Sequence, residues 1–152
     1  MNFFLQAGSV LTLVMLTLWI QSAGMAALIV WGRTMFSKRI DKFGLRHSMG
    51  LMVRFTSTMI ALHVLEILVW AGFYRWRCLP AWGVSFDFSG GSYSTGGTGG
   101  IVLPLMWQFL GPVESLMGVL MCGLSVALLF AIVTRLVGRE IDLPSDPGKP
   151  VK

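Results

Sequence analysis

Two groups of residues in this 152-residue chain have types and spacings that could do chemistry. The first is Ser94-Thr95-Gly96-Gly97-Thr98-Gly99-Gly100, the end of a stretch from Ser89 to Gly100 that holds six glycines in twelve residues. Glycine accepts positive φ without steric cost, so such a run can turn its carbonyls to one side. A column of carbonyl oxygens can replace the hydration shell of a cation. The second group is His63 and Glu66, which stand at i and i+3 on one helix face, with Trp70 extending the stripe by a turn. An ionisable side chain within an apolar span is costly and by default points to function. Three readings fit the pair: a hydrogen-bonded brace, internal or to Ser125 across the helices; a pH-sensitive gate; and direct contact with an ion.

Four further residues carry two readings each. Glu114 follows Pro112 at the start of an apolar run, where a carboxylate complements a helix N-terminus or concentrates cations at a pore mouth. Asp87 could act at the same mouth or brace the glycine loop. Gly118 and Gly123, inside the last apolar run, fit a gating hinge or close helix packing. Enzyme chemistry has no foothold: there is no Ser-His-Asp set and no metal-ligand spacing, and the glycine cluster lacks the GK[ST] ending of a P-loop. Cys78 and Cys122 lie in different settings, one beside a span and one within, and are expected to stay unpaired.

The elements that must position these residues are membrane spans. The chain is 55% apolar and only 12% charged, about half the charge of a typical soluble protein. No charged side chain occurs from Met1 to Gly32, and two more long apolar runs follow: Phe55 to Tyr74, whose ionisable side chains are His63 and Glu66, and the uncharged Ser115 to Thr134. About 20 such residues cross a hydrocarbon core of roughly 30 Å. The basic residues follow the first run rather than precede it, so it reads as a span and not as a cleaved leader. Trp31, Trp76, Trp82 and Trp107 are expected as interface anchors.

The net charge of +5 is too small and too scattered for a nucleic-acid footprint. It reports orientation instead. Arg33, Lys38, Arg39, Lys42 and Arg46 follow the first run against a lone Asp41, and Arg135, Arg139, Lys149 and Lys152 follow the third, whereas only Arg75 and Arg77 follow the second. Positive charge collects on the cytoplasmic side, which places the N-terminus outside, the C-terminus in the cytoplasm and the glycine-rich segment outside, in the inner (plasma) membrane. The basic loop could also attract anionic membrane lipids at about 1 kcal/mol per residue. The expected organisation is a first transmembrane helix over 1–33, a basic cytoplasmic loop over 34–53, a pore domain over 54–137 and a flexible tail over 138–152.

Between the second and third runs, Trp82 to Tyr93 has the length of a three-turn helix, and no charge occurs between Asp87 and Glu114. A water-exposed loop would ordinarily carry some. The stretch therefore reads as a re-entrant helix and loop, non-helical backbone being tolerated at membrane depth only where protein buries it or it lines a watery cavity. The C-terminal end of such a helix is partially negative and favours a cation.

This order, span, short helix, Tyr93-Ser94-Thr95-Gly96-Gly97-Thr98-Gly99-Gly100, span, looks like the pore domain of the potassium-channel superfamily. More closely, His63-Val64-Leu65-Glu66, Phe86-Asp87-Phe88-Ser89, Gly100-Ile101-Val102-Leu103-Pro104, Leu110-Gly111-Pro112-Val113-Glu114 and Ala127-Leu128-Leu129-Phe130-Ala131 resemble small bacterial three-span proteins of the two-pore-domain-like ion channel family. The likeness covers roughly residues 62–136. It implies an all-α integral membrane fold of three transmembrane helices with a re-entrant pore helix and filter loop, assembled as a homotetramer without a cofactor. It implies filter ligands at Thr95, Gly96, Gly97, Thr98 and Gly99 for a permeant K+ or Na+ ion. Thr95, Gly97 and Gly99 stand at the family's Thr and two Gly positions. The family's Val, Tyr and Asp are replaced by Gly96, Thr98 and Gly100, which removes side chains that pack behind the carbonyls and a brace to the pore helix.

The expectation is thus an oligomeric channel for monovalent cations with weakened selectivity. Two rivals stand beside it: a non-conducting membrane subunit that keeps the pore-domain fold, and a small integral-membrane interaction protein whose glycine loop docks a partner.

Overall fold

A computed structural model describes residues 3–38 and 45–141. They form α1 (Phe3–Lys38), α2 (Leu45–Arg77), α3 (Trp82–Tyr93) and α4 (Leu110–Ile141), with a short 3-10 turn at Leu105–Trp107 before α4. Three stretches, Gln6–Thr34, Met49–Arg77 and Leu105–Thr134, are long and apolar enough to cross a membrane. With 12 residues, α3 is about 18 Å long at about 1.5 Å per residue, too short to span. It occupies the residues expected of a three-turn helix.

Two boundaries differ from the sequence reading. The loop expected over 34–53 is helical at both ends, because α1 runs on to Lys38 and α2 already begins at Leu45. Nothing in Thr34–Lys38 or Leu45–Val53 opposes a helix except Gly50, so helix propensity carries both helices past the apolar stretch. Arg39, Asp41 and Lys42 of that loop lie outside the described residues. At the other end α4 continues through Ile141, past Gly138 and Arg139, and residues 142–152 of the expected tail lie outside the described residues.

The end of α2 is well specified. Arg75 and Arg77 occupy its last turn, where cations complement the helix dipole. The N–H groups of Cys78 and Leu79 both close on the Tyr74 carbonyl at 2.8 Å, and Pro80 then stops the helix.

The packed interior has two parts. Around α3, the side chains of Trp70, Tyr74, Phe88, Tyr93, Leu110 and Met121 are buried together, with Tyr74 and Phe88 edge to face at 4.9 Å. A second cluster of Leu28, Leu51, Phe55, Met59 and Ile132 ties the far ends of the long helices. Trp107, expected at an interface, is buried against the edge of Phe73 at 5.4 Å. Trp31 is half-buried on Phe55, while Trp76 and Trp82 are exposed. Elsewhere the long helices expose large apolar side chains along their length, among them Leu11, Trp19, Ile60, Leu116, Val119 and Phe130. Contiguous surface of this kind fits contact with lipid.

The helix α3 packs against α2 and α4 through small residues. Ser85, Ser89 and Ser92 are all buried. A Cβ at Gly118 of α4 would collide with the carbonyl oxygen of Tyr93, whereas one at Gly123 would meet nothing within 4 Å. Gly118 is therefore a packing position, and Gly123 has no such contact. Gly118→Ala should cost about 1–3 kcal/mol through overpacking and lower the thermal midpoint in detergent. Gly123→Ala should be neutral or slightly stabilising, within about 0.5 kcal/mol. The opposite order would place the close contact elsewhere.

Candidate functional site

The short helix α3 is held between two glutamates, one from each flanking helix. Glu114 of α4 is wholly buried. The Tyr74 hydroxyl of α2 donates to its Oε2 at 2.8 Å, and the Ser89 hydroxyl of α3 lies on its Oε1. Ser89 Oγ is also 2.9 Å from the Ile67 carbonyl, so its single proton serves one of these acceptors at a time. Glu114 stands in the second turn of α4, outside the first turn where a carboxylate would complement the helix N-terminus. It is a cross-brace between α2, α3 and α4.

Glu66 of α2 is the second anchor. It is wholly buried, and the Tyr93 hydroxyl, from the last residue of α3, donates to its Oε2. His63 Nδ1 lies 2.8 Å from the same hydroxyl and 3.5 Å from Glu66 Oε2. Its Nε2 lies 3.1 Å from Ser125 Oγ on α4. Gln21 of α1 donates to Ser125 Oγ at 3.0 Å and approaches the Met121 carbonyl at 3.3 Å. The expected brace between His63, Glu66 and Ser125 is present, and it extends to α1 and α3. A separate bond, Trp70 Nε1 to Thr17 Oγ1 at 3.0 Å, fastens α1 to α2. Trp70 thus does more than lengthen a stripe.

From these anchors the chain enters the glycine loop. Ser94 ends α3, its hydroxyl and N–H both bonded to the Gly90 carbonyl. The next residue, Thr95, has φ of 58°. This is the position after a helix C-cap where glycine is usual, and for a β-branched residue it is a conformational outlier. Gly97, Gly99 and Gly100 also have positive φ. The Ile101 N–H donates to the Thr98 carbonyl at 3.0 Å, closing a tight turn over Gly99 and Gly100, the φ > 0 pair such a turn requires. The Gly97 carbonyl oxygen is seated on Gly91 of α3, where any Cβ would strike it.

Of the five positions expected to supply ion ligands, two therefore have their carbonyls engaged within the chain. Gly97 faces α3, and Thr98 accepts a hydrogen bond while retaining a second lone pair. The carbonyls of Thr95, Gly96 and Gly99 have no backbone donor among the described residues, and those three residues are exposed. Beside the loop lies an open groove of about 420 Å³ lined by Phe88, Ser92, Thr95, Thr98, Leu103 and Ser115, among others. Asp87 is exposed on α3 and makes no hydrogen bond or ion pair among the described residues. No cluster of metal-ligating side chains occurs among the described residues. The chain was compared with protein families, characterised proteins and solved structures, and it matches none of them.

Sequence reasoning missed Tyr74, Ser89, Tyr93, Gln21 and Thr17. A signal was available for the tyrosines: the chain has only two, and each donates to one of the two glutamates within the apolar stretches Met49–Arg77 and Leu105–Thr134.

Two predictions follow from this geometry. Glu114→Leu strands the Tyr74 hydroxyl in the interior and should cost about 1–3 kcal/mol. Adding Tyr74→Phe removes the orphaned donor, so the double variant should be more stable than Glu114→Leu alone; equal or lower stability in detergent unfolding would mean that the pair is not coupled. Cys78 and Cys122 are both free thiols, and burial pushes the Cys78 thiol up to about 11 against a smaller lowering by Arg77. In a Cys122→Ser chain, alkylation of Cys78 by iodoacetamide should be slow at neutral pH and rise about tenfold per pH unit through the alkaline range, because the thiolate is the nucleophile. A rate at neutral pH equal to that of an unfolded peptide would contradict the burial.

Proposed function

We propose that several copies of this chain surround an axis and pass monovalent cations, potassium or sodium, along the loop Thr95–Gly99. The observation that carries this reading is the conformation of Thr95. A left-handed threonine costs of order 1–3 kcal/mol, and glycine, abundant on either side, would avoid that cost. Retaining the side chain here is accounted for by a use for its hydroxyl beyond the fold. The neighbouring glycines supply the turned backbone that carbonyl ligands need. The two glutamate anchors support a loop held at fixed height beside α3, whose C-terminal end favours a cation.

One loop cannot encircle an ion, so the pore belongs to a closed ring of identical chains, and four copies is the number the family resemblance implies. The charge pattern of the helix ends supports an inner-membrane orientation with the loop outside. No side chain larger than threonine stands between Ser94 and Gly100, so little packs behind the loop to fix its diameter, and selectivity between potassium and sodium is weak.

A second reading has its own observation. With the Gly97 carbonyl on Gly91 and the Thr98 carbonyl in a turn, the loop is folded onto its own chain, as a non-conducting subunit with the same fold would keep it. Flux from liposomes under potassium and then sodium gradients separates the two. A channel gives comparable fluxes for both ions. Thr95→Gly should raise the thermal midpoint, by relief of strain of about 1 kcal/mol, while reducing flux at least roughly tenfold, the loss expected when a charge-coordinating oxygen is removed. No flux from a verified oligomer would support the non-conducting subunit, and a strong preference for potassium would refute weak selectivity.

A further inference from the structure

Hydrogen-bond bookkeeping assigns the protons in the buried chain that ends on Tyr93. With Glu66 as the carboxylate, the Tyr93 hydroxyl gives its one proton to Glu66 Oε2, so toward His63 Nδ1, 2.8 Å away, it can only accept. Nδ1 therefore carries the ring proton. In a neutral imidazole Nε2 is then a bare acceptor, and Ser125 Oγ at 3.1 Å must donate to it. Ser125 has that proton to give because the bond from Gln21 Nε2 uses one of its lone pairs. Every direction is consistent with neutral His63.

A second proton on the ring disturbs both ends of this arrangement. Nε2–H and the Ser125 hydroxyl proton would point at each other until the hydroxyl turned away. On the opposite side the imidazolium would lie 3.5 Å from Glu66 Oε2, the oxygen that Tyr93 occupies, and would compete for it with a charge-assisted bond. The groups that face His63 are Glu66 from its own helix, Tyr93 from α3 and the uncharged Ser125 from α4, with the neutral amide of α1's Gln21 behind Ser125. Cys122 and Glu114 of α4 act electrostatically on Tyr93. The His63 side chain is 18% exposed.

We propose that His63 is a proton-operated switch on the glycine loop: proton uptake transfers Glu66 from Tyr93 to His63 and loosens the end of α3. Tyr93 is the right lever. Its carbonyl is seated on Gly118, and the residues that follow it are the Ser94 cap and the strained Thr95. If the loop conducts, acidification regulates that conduction, which rests on the function proposed above. The switch itself does not.

The test therefore avoids ion flux. The full chain, in lipid nanodiscs and with Cys78→Ser and Cys122→Ser, carries a spin label at Val102→Cys, an exposed position at the far end of the loop. His63 is followed in the same samples through its imidazole nitrogen shifts, from about pH 8 to about pH 5, either side of the ordinary imidazole range. At the upper pH His63 should be neutral with its proton on Nδ1. Acidification should change the mobile-to-immobile ratio of the label by roughly threefold or more, as a modest population shift requires, with the midpoint of the His63 titration. His63→Gln should abolish the response, and Tyr93→Phe should leave the titration in place but uncouple the label. An Nε2–H tautomer at high pH, a His63 that stays neutral throughout, a titration that leaves the label unmoved, or a response that survives His63→Gln would each overturn the proposal. If His63→Gln fails to fold, the nitrogen shifts and the Tyr93→Phe variant decide alone.

Discussion

Two buried carboxyl groups, one from each neighbouring long helix, reach the same short helix one turn apart, and the position of everything around the glycine loop depends on them. A helix of three turns has neither the length to cross a bilayer nor a wide enough apolar face to hold itself against two long helices. Glu66 takes its C-terminal residue and Glu114 takes Ser89 one turn earlier. Two tyrosines complete the pairing, Tyr93 from α3 and Tyr74 from α2, so each carboxyl is met by a neutral donor rather than by a cation. That choice avoids burying a second charge, whose desolvation can exceed the attraction it gains.

The glycines divide into different physical tasks once the anchors are in place. Gly118 is there for want of a Cβ, because α4 comes within touching distance of a peptide group of α3. Gly91 is there for the same reason, with the Gly97 carbonyl against it. Gly99 and Gly100 instead supply dihedral angles, and Gly123 does neither. Composition alone shows an excess of glycine and cannot sort these uses, since close approach and left-handed backbone leave the same letter in the sequence.

How much of this was legible is decided residue by residue. The three long apolar helices were plain from long charge-poor runs, and α3 from an aromatic stretch of the right length ahead of the glycines. The link from His63 and Glu66 to Ser125 could be anticipated because polar side chains in apolar surroundings must find one another. Glu114 was harder. Its place after Pro112 matched a helix start, but the helix begins earlier, at Leu110, and the extra residues carry the carboxyl inward. The engagement of the Gly97 and Thr98 carbonyls lay beyond reach, because carbonyl direction depends on dihedral angles that glycine leaves undetermined. Thr95 is the reverse case, a residue whose sequence favours one conformation and whose place in the fold imposes another.

The anchoring pattern also bears on how the chain enters a membrane. The span in α1 has no ionisable side chain before Arg33 and can partition on its own. The α2 span carries Glu66 near its centre, a burden of about 2.5–3.5 kcal/mol on insertion scales for an acidic side chain, and the donor that relieves it, Tyr93, lies 27 residues downstream. Glu114 has the opposite timing, since both its donors, Tyr74 and Ser89, precede it in the chain. Synthesis therefore delivers an incomplete α2 first and its complement later. On this account α2, α3 and α4 settle into the bilayer as one cooperative unit, with α1 already in place beside them.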